Sequence, residues 1–194
     1  DFGENNISIN ISYSVEIIGK SAKSVFSNAH FIIEGGSTVN DITVVKFKNI
    51  KFDGKFDTKN TVLENGKTFS ENLGGERENP CYKALAPTGI YNLVIENCEF
   101  YNYVGKTGVV IFRQNGESSL TNSYLTIKNS KFFDNICEQG TIYLADKSLI
   151  VSITNCEMYN NTAQICSGIS VWGAKTEIDK LNIHDNNFVN FSFK

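Results

Sequence analysis

The sequence lacks the features that mark several large classes of protein. No apolar run approaches the roughly 18 residues of a membrane-spanning helix, so no transmembrane segment is expected. The net charge is −3 with both signs interspersed, so a phosphate-binding basic patch is missing and nucleic acid is not an expected partner. There are two histidines and no Cys-x-x-Cys pair, so we expect no metal site and no cofactor.

Helical periodicity over ten or more residues is also missing, because Gly, Asn or Asp interrupts every candidate segment. The sequence does contain one short pattern that is repeated in five copies. Its copies are VVKFKNIKF (44–52), NLVIENCEF (92–100), YLTIKNSKF (124–132), IVSITNCEM (150–158) and KLNIHDNNF (180–188).

The copies agree column by column when they are aligned on a shared Asn or Asp. This column consists of Asn49, Asn97, Asn129, Asn155 and Asp185. Val or Leu stands four positions earlier, Phe or Ile two positions earlier, and Phe or Met three positions later. The alternation of apolar and polar residues predicts a strand with one buried face. Strand-only units too small to bury that face alone are typical of a parallel β-solenoid.

A second recurring piece follows the first in three copies: GVVIF (108–112), GTIYL (140–144) and GISVW (168–172). It predicts a second strand in each coil, and AHFIIEG (29–35) suggests a third. We therefore predict an all-β fold, a single right-handed parallel β-helix of about six to seven coils that covers residues 1–194. The handedness follows from the general preference for right-handed crossovers.

The Asn column is interpreted as scaffold, because an amide at the same bend of each coil can pass hydrogen bonds up the stack. The neighbouring polar columns alternate in charge, as in Lys51, Glu99, Lys131 and Glu157. A solvated face with neutralised neighbours is the favoured interpretation of these charges, and a ligand-binding stripe is the alternative.

The five cysteines leave two alternatives. Cys137 and Cys166 fall near the same predicted corner of consecutive coils, within reach of a disulfide. Otherwise all five are small buried apolar residues. Four sequons match the N-glycosylation pattern, at Asn6, Asn10, Asn160 and Asn190.

The longest interval between copies predicts an insertion at about 54–89 that protrudes from one face. It contains both prolines and many carboxylates. Insertions in repeat proteins lie on one face, often the binding face. The candidate contacts to a ligand are Glu71, Glu76, Arg77, Glu78 and Tyr82. A loop without a binding role is the alternative.

Two copies carry a longer pattern. Phe132-Phe-Asp-Asn135 is followed by Gly140-Thr-Ile-Tyr, and Met158-Tyr-Asn-Asn161 by Gly168-Ile-Ser. These pairs resemble the FxxN and GGA[ILV] repeats of the chlamydial polymorphic outer-membrane proteins, over roughly residues 90–194 and more loosely over 1–52. The resemblance implies a right-handed parallel β-helix used as a cell-surface passenger module for adhesion, with no catalytic residues to carry over.

The expected function is therefore a non-catalytic cell-surface or extracellular module for adhesion or ligand binding. Its expected partner is a protein or carbohydrate surface ligand. The chain begins with Asp1 and shows no signal-like segment, so we expect a mature product or an excised module.

Two alternatives remain. One is a structural subunit that assembles end-to-end with copies of itself into a filament or longer rod, through open strand edges. The other is a polysaccharide lyase or glycoside hydrolase, which would need clustered carboxylates and a base on one face. Asp53 and Asp57 are the only close aspartates near a predicted coil face, and Arg113 stands alone on another strand. No catalytic residue is therefore predicted.

Overall fold

The structure, a computed structural model, describes residues 7–38, 40–55, 83–108, 110–114 and 122–188. Within these ranges the chain forms β-strands and no helix. The strands are β1 (Ile7–Ile11), β2 (Val15–Ile18), β3 (Val25–Ser27), β4 (Ala29–Glu34), β5 (Thr43–Lys48), β6 (Lys51–Asp53), β7 (Leu85–Thr88), β8 (Tyr91–Glu96), β9 (Glu99–Tyr101), β10 (Val104–Thr107), β11 (Ile111–Gln114), β12 (Ser123–Lys128), β13 (Lys131–Phe133), β14 (Ile136–Gln139), β15 (Ile142–Ala145), β16 (Leu149–Tyr159), β17 (Thr162–Cys166), β18 (Ile169–Val171), β19 (Lys175–His184) and β20 (Asn187–Phe188).

These strands form three open sheets with parallel neighbours. The six-stranded sheet has the order β1-β4-β7-β11-β15-β18, and the four-stranded sheet has the order β10-β14-β17-β20. The ten-stranded sheet has the order β2-β5-β8-β12-β16-β13-β9-β6-β3, with β19 also paired to β16. The isolated bridge between Gly36 and Ile90 is antiparallel. The predicted all-β chain of mostly parallel strands is confirmed.

Side chains alternate along the strands as the repeated pattern predicts. In β8 the side chains of Leu93 and Ile95 are buried, while Val94 between them is half-buried. The register places equivalent side chains of successive strands in columns. The buried columns are Val45, Leu93, Leu125 and Val151; Phe47, Ile95, Ile127 and Ile153; and Phe52, Phe100, Phe132 and Met158.

The aromatic members of the third column stack on one another. The ring centroids of Phe52 and Phe100 lie 4.4 Å apart, and those of Phe100 and Phe132 lie 5.2 Å apart, with nearly parallel planes. Burial of each ring stabilises the fold by about 1.5–3 kcal/mol. Because a one-residue slip would turn these rings out of the core, the column also fixes the strand register.

Two bends recur, each made by a residue with positive φ. The first bend lies at Asn49, Asn97, Asn129, Asn155 and Lys180, with φ between 49° and 57°. The second lies at Asn102, Asp134, Asn160 and Asp185, with φ between 51° and 58°. In the last four rungs the second bend follows the first by five residues, as from Asn97 to Asn102, whereas the positive φ after Asn49 is at Lys55. Asn and Asp adopt this left-handed conformation more readily than other residues with a Cβ.

The register of the fifth copy was predicted wrongly. The structure pairs Thr154 with Asp179 and Cys156 with Leu181, so Lys180 and not Asp185 lies beside Asn155. Asp185 instead lies at the second bend. The error arose because both bends carry Asn or Asp, while the first bend of the last copy carries Lys.

The boundaries of the predicted insertion also need correction. Leu85–Thr88 does not protrude: it forms β7, which pairs with β4 and β11, and the side chains of Leu85 and Ala86 are buried. Residues 56–82 of the segment lie outside the described residues.

Candidate ligand-binding groove

The predicted binding loop falls on residues that the structure does not describe. This holds for Glu71, Glu76, Arg77, Glu78 and Tyr82. The described residues instead contain a polar groove at the first bend, along the charged column whose alternative interpretation was a ligand-binding stripe.

The exposed amides of the first bend form hydrogen bonds between rungs. Asn97 Nδ2 donates to Asn49 Oδ1 at 3.1 Å, and Asn155 Nδ2 donates to Asn129 Oδ1 at 2.8 Å. Asn155 Oδ1 accepts no hydrogen bond from the described residues, so it is available to a ligand. The column therefore has a free acceptor next to its last member, Lys180.

A shallow groove of about 510 Å³ follows this bend across three rungs. Its volume lies within the range of pockets that hold small ligands, about 300–1,000 Å³. Most of the lining residues have polar side chains, and the lining consists of Asn129, Ser130, Lys131, Asn155, Cys156, Glu157, Lys180, Leu181 and Asn182. The amides and charges in this lining suit a hydroxyl-rich or charged ligand.

Ion pairs between rungs border the groove. Lys131 Nζ lies 2.9 Å from Glu157 Oε2, and the preceding pair of the same column, Lys51 and Glu99, is also separated by 2.9 Å. Hydrogen bonds from Lys131 and then His184 hold the pKa of Glu157 below its ordinary value. Exposed pairs such as these stabilise a protein by at most about 1 kcal/mol each.

Lys180 differs from the other cation in the groove. Among the described residues it makes no ion pair, whereas Lys131 is held by Glu157. Its φ of 54° is unfavourable for lysine by about 1 kcal/mol. A non-glycine residue in such a conformation is a reason to examine a position for function.

Aromatic rings form a second outer column beside the charges. Tyr101, Phe133, Tyr159 and His184 stack in that order with centroid distances of 5.0, 5.0 and 5.4 Å. Hydrogen bonds to Asp185 and then Glu157 raise the pKa of His184. Since the rings cover one another's faces, they present mainly their edges to solvent.

Sequence reasoning missed a chain of inward-facing asparagines directly after the second bend. Asn135 Nδ2 donates to Asn161 Oδ1 at 2.9 Å, and the backbone N–H of Asn161 donates to Asn186 Oδ1 at 2.8 Å. Asn135 and Asn161 are fully buried. The last residue of the Phe-x-x-Asn pattern was the signal, and in the corrected register Ile183-His-Asp-Asn186 is its third copy.

The sequence suggested that Arg113 stands alone, but the structure gives it a charged partner. Its Nε donates to Asp146 Oδ2 at 2.8 Å, and Nη2 lies 2.7 Å from the same oxygen. Burial alone raises the pKa of Asp146, but hydrogen bonds from Ser148 and the charge of Arg113 outweigh it and lower that pKa. Both members of the pair are buried, and Arg113 also donates to the carbonyls of Pro87 and Gly89. This cluster ties β11 to the neighbouring rungs.

The predicted corner for a disulfide is not shared by its two cysteines. The register pairs Cys137 with Ala163 and Cys166 with Gln139, with an irregularity between the two positions, and both thiols are free. Burial raises the pKa of the Cys137 thiol to about 12. Cys98 and Cys156 are also free and buried, directly after the first bend, while Cys81 lies outside the described residues.

Two of the four sequons lie on described residues. The side chains of Asn10, on β1, and Asn160, at the second bend, are exposed. Asn6 and Asn190 lie outside the described ranges, as does Asp57. These sites stay predictions.

Comparison with protein-family models, curated proteins and solved structures gives no match to the chain. In the described part of the chain, no three His, Cys, Asp or Glu side chains are grouped so as to hold a metal ion. Nor does any helix there have the length and apolar character to cross a membrane.

Proposed function

We propose that the chain is a right-handed parallel β-helix that acts as a non-catalytic module for adhesion or ligand binding at a cell surface or outside the cell. Three observations support the coiled form. Strands of the same sheet are successive rungs along the chain, their neighbours are parallel, and two bends recur five residues apart. Strand units of this kind bury their apolar faces by stacking.

The groove at the first bend is the observation that carries the binding role. It lies on β12, β16 and β19, which main-chain hydrogen bonds join in that order, and β12 and β16 are paired on both sides. Its polar groups are therefore fixed before a ligand arrives, which lowers the entropic cost of binding.

The test is adhesion of beads coated with the whole chain to cells and to panels of glycans and proteins. Asn182→Trp places a bulky ring in the groove, whereas Asn10→Trp places the same ring on exposed β1 of another sheet. We expect Asn182→Trp to lower adhesion at least tenfold and Asn10→Trp to leave it unchanged. Equal adhesion by the two variants, or turnover of a bound polysaccharide, would contradict the proposal.

End-to-end assembly is a second candidate, and one observation favours it. In β19, Ile178 and Ile183 pair with the core residues Ile153 and Met158, yet they are 48% and 51% exposed. Exposed apolar residues of this kind favour contact with a further rung. Sedimentation of the wild type and of Ile178→Lys tests this candidate, which requires a concentration-dependent assembly that the variant loses.

A further inference from the structure

The groove at the first bend joins three properties that together define a ligand class. It offers an uncommitted cation at Lys180, an unused amide acceptor at Asn155 Oδ1, and a further exposed amide at Asn182. We propose that it binds an acidic saccharide, with the carboxylate of a uronic acid at Lys180 and sugar hydroxyls at the asparagine amides. This inference rests on the proposed binding function of the groove.

The charge of the ligand follows from the charges of the lining. Lys131 and Glu157 neutralise each other at 2.9 Å, so they contribute little net field. Lys180 then leaves the groove with one excess positive charge among its described lining residues. A ligand with a single negative charge compensates it, and hydrogen bonds to charged groups are stronger than neutral ones.

The saccharide part of the ligand follows from the amides and the shape. Asparagine side chains provide both donors and acceptors, which match hydroxyl groups of either role. The groove runs along successive rungs and not into the core, so it accommodates a linear chain of sugars lying on the surface.

The residue at the first bend of the last rung provides independent support. Four preceding rungs use Asn at this position, where it relieves the backbone, and only the rung that closes the groove uses Lys. Lysine lowers the local stability here, because its φ of 54° is unfavourable. A position at which function and stability are opposed is expected at a binding site.

Lys180→Asn therefore separates the two roles, because it restores the residue of the other rungs. We expect this variant to have a higher Tm than the wild type and to bind the acidic ligand at least tenfold more weakly. Lys46→Gln removes the same charge from an exposed position on β5 and should change neither property.

The probes for calorimetric titration are a trisaccharide with one hexuronic acid residue and its carboxyl-reduced neutral counterpart. We expect the acidic trisaccharide to bind at least tenfold more tightly than the neutral one. Equal binding of the two compounds, or unchanged binding by Lys180→Asn, would overturn the inference.

The outcome also distinguishes this inference from the proposed function. If neither trisaccharide binds while adhesion remains sensitive to Asn182→Trp, the acidic-saccharide assignment fails and the binding module stands. If adhesion is insensitive to Asn182→Trp, the proposed function fails, and the inference fails with it.

Discussion

The two bends use the same type of residue in different surroundings. At the first bend the amides are exposed, and the described residues give Asn155 one hydrogen bond to its neighbour. Behind the second bend the amides are buried, and Asn161 holds both the backbone and the side chain of Asn135 while donating to Phe132 O.

This difference separates asparagines that can be replaced from those that cannot. Water can substitute for a lost hydrogen bond at the first bend, so the chain tolerates lysine there. Water cannot replace a lost hydrogen bond of the buried amides in this way, and each unmatched group there costs about 1–3 kcal/mol. The exposed column is therefore where a new function can be introduced.

Removal of a buried amide should have the largest effect. Asn161→Ala removes the acceptor of the Asn135 N–H, one of the two acceptors of the Asn135 amide and a donor to the Phe132 carbonyl, so we expect a loss of about 3 kcal/mol or more in the free energy of unfolding. Urea denaturation followed by circular dichroism measures it. The control is Asn160→Gly, which removes the adjacent exposed side chain at a bend that glycine tolerates.

Removal of an exposed amide should have a smaller effect. Asn155→Ala loses one exposed hydrogen bond and places alanine at a φ of 53°, so we expect a loss of about 1 kcal/mol. Asn155→Gly loses the same bond without the backbone strain and should cost less. If Asn155→Ala proved as damaging as Asn161→Ala, the distinction between the two bends would be wrong.

Restoring asparagine at the last rung should stabilise the protein. We expect Lys180→Asn to raise the free energy of unfolding by about 0.5–1 kcal/mol, because asparagine tolerates the φ of 54° better. Thermal unfolding measures the change. A destabilised variant would show that Lys180 has a structural partner, contrary to its role as an uncommitted cation.

A smaller effect on stability is expected from pH, through the titration of His184 and Glu157. His184 has a raised pKa, so its contribution is complete below 6.5 and is lost as pH rises through the higher folded-state value. Glu157 has a lowered pKa, so its contribution is complete above 4.5 and is lost as pH falls through the lower folded-state value. Both contributions to stability are therefore complete between pH 4.5 and pH 6.5.

We therefore expect a slight fall in Tm when pH rises from about 6 to about 8, which His184→Gln should reduce. The effect is small because both side chains are partly exposed and solvent screens their charges. A pH dependence that is identical in the wild type and the variant would assign it to other groups.

Much of the fold was predictable because its information is local and repeated. The columns that contain Leu93, Ile95 and Phe100 specify both the strand and its buried face, and four copies agree. The fifth copy was misaligned because Asp and Asn both adopt a positive φ. Asp185 does so at the second bend, and Asn155 does so at the first. Chemistry that suits two bends cannot by itself identify one of them.

Of the groove, the sequence indicated only the charged column of Lys131 and Glu157, and the rest was not predictable for a different reason. The lining of the groove comes from three rungs. Lys180 can be assigned to the groove only when the strand register places it beside Asn155. The partnership of Arg113 with Asp146 likewise depends on distances between residues 33 positions apart. Composition and periodicity do not report such contacts.

The separation of the two bends, constant over the last four rungs, has a consequence for how this chain can change its length. From Asn97 to Asn102 and from Asn155 to Asn160 the bends are five residues apart, although the distance from one rung to the next varies from 48 to 25 residues. The first rung differs: Ile18 pairs with Lys48 and Val25 with Lys51, so additional residues stand between β2 and β3. An engineer who inserts a foreign peptide into the later rungs should therefore place it between the second bend of one rung and the first bend of the next, where the molecule already varies.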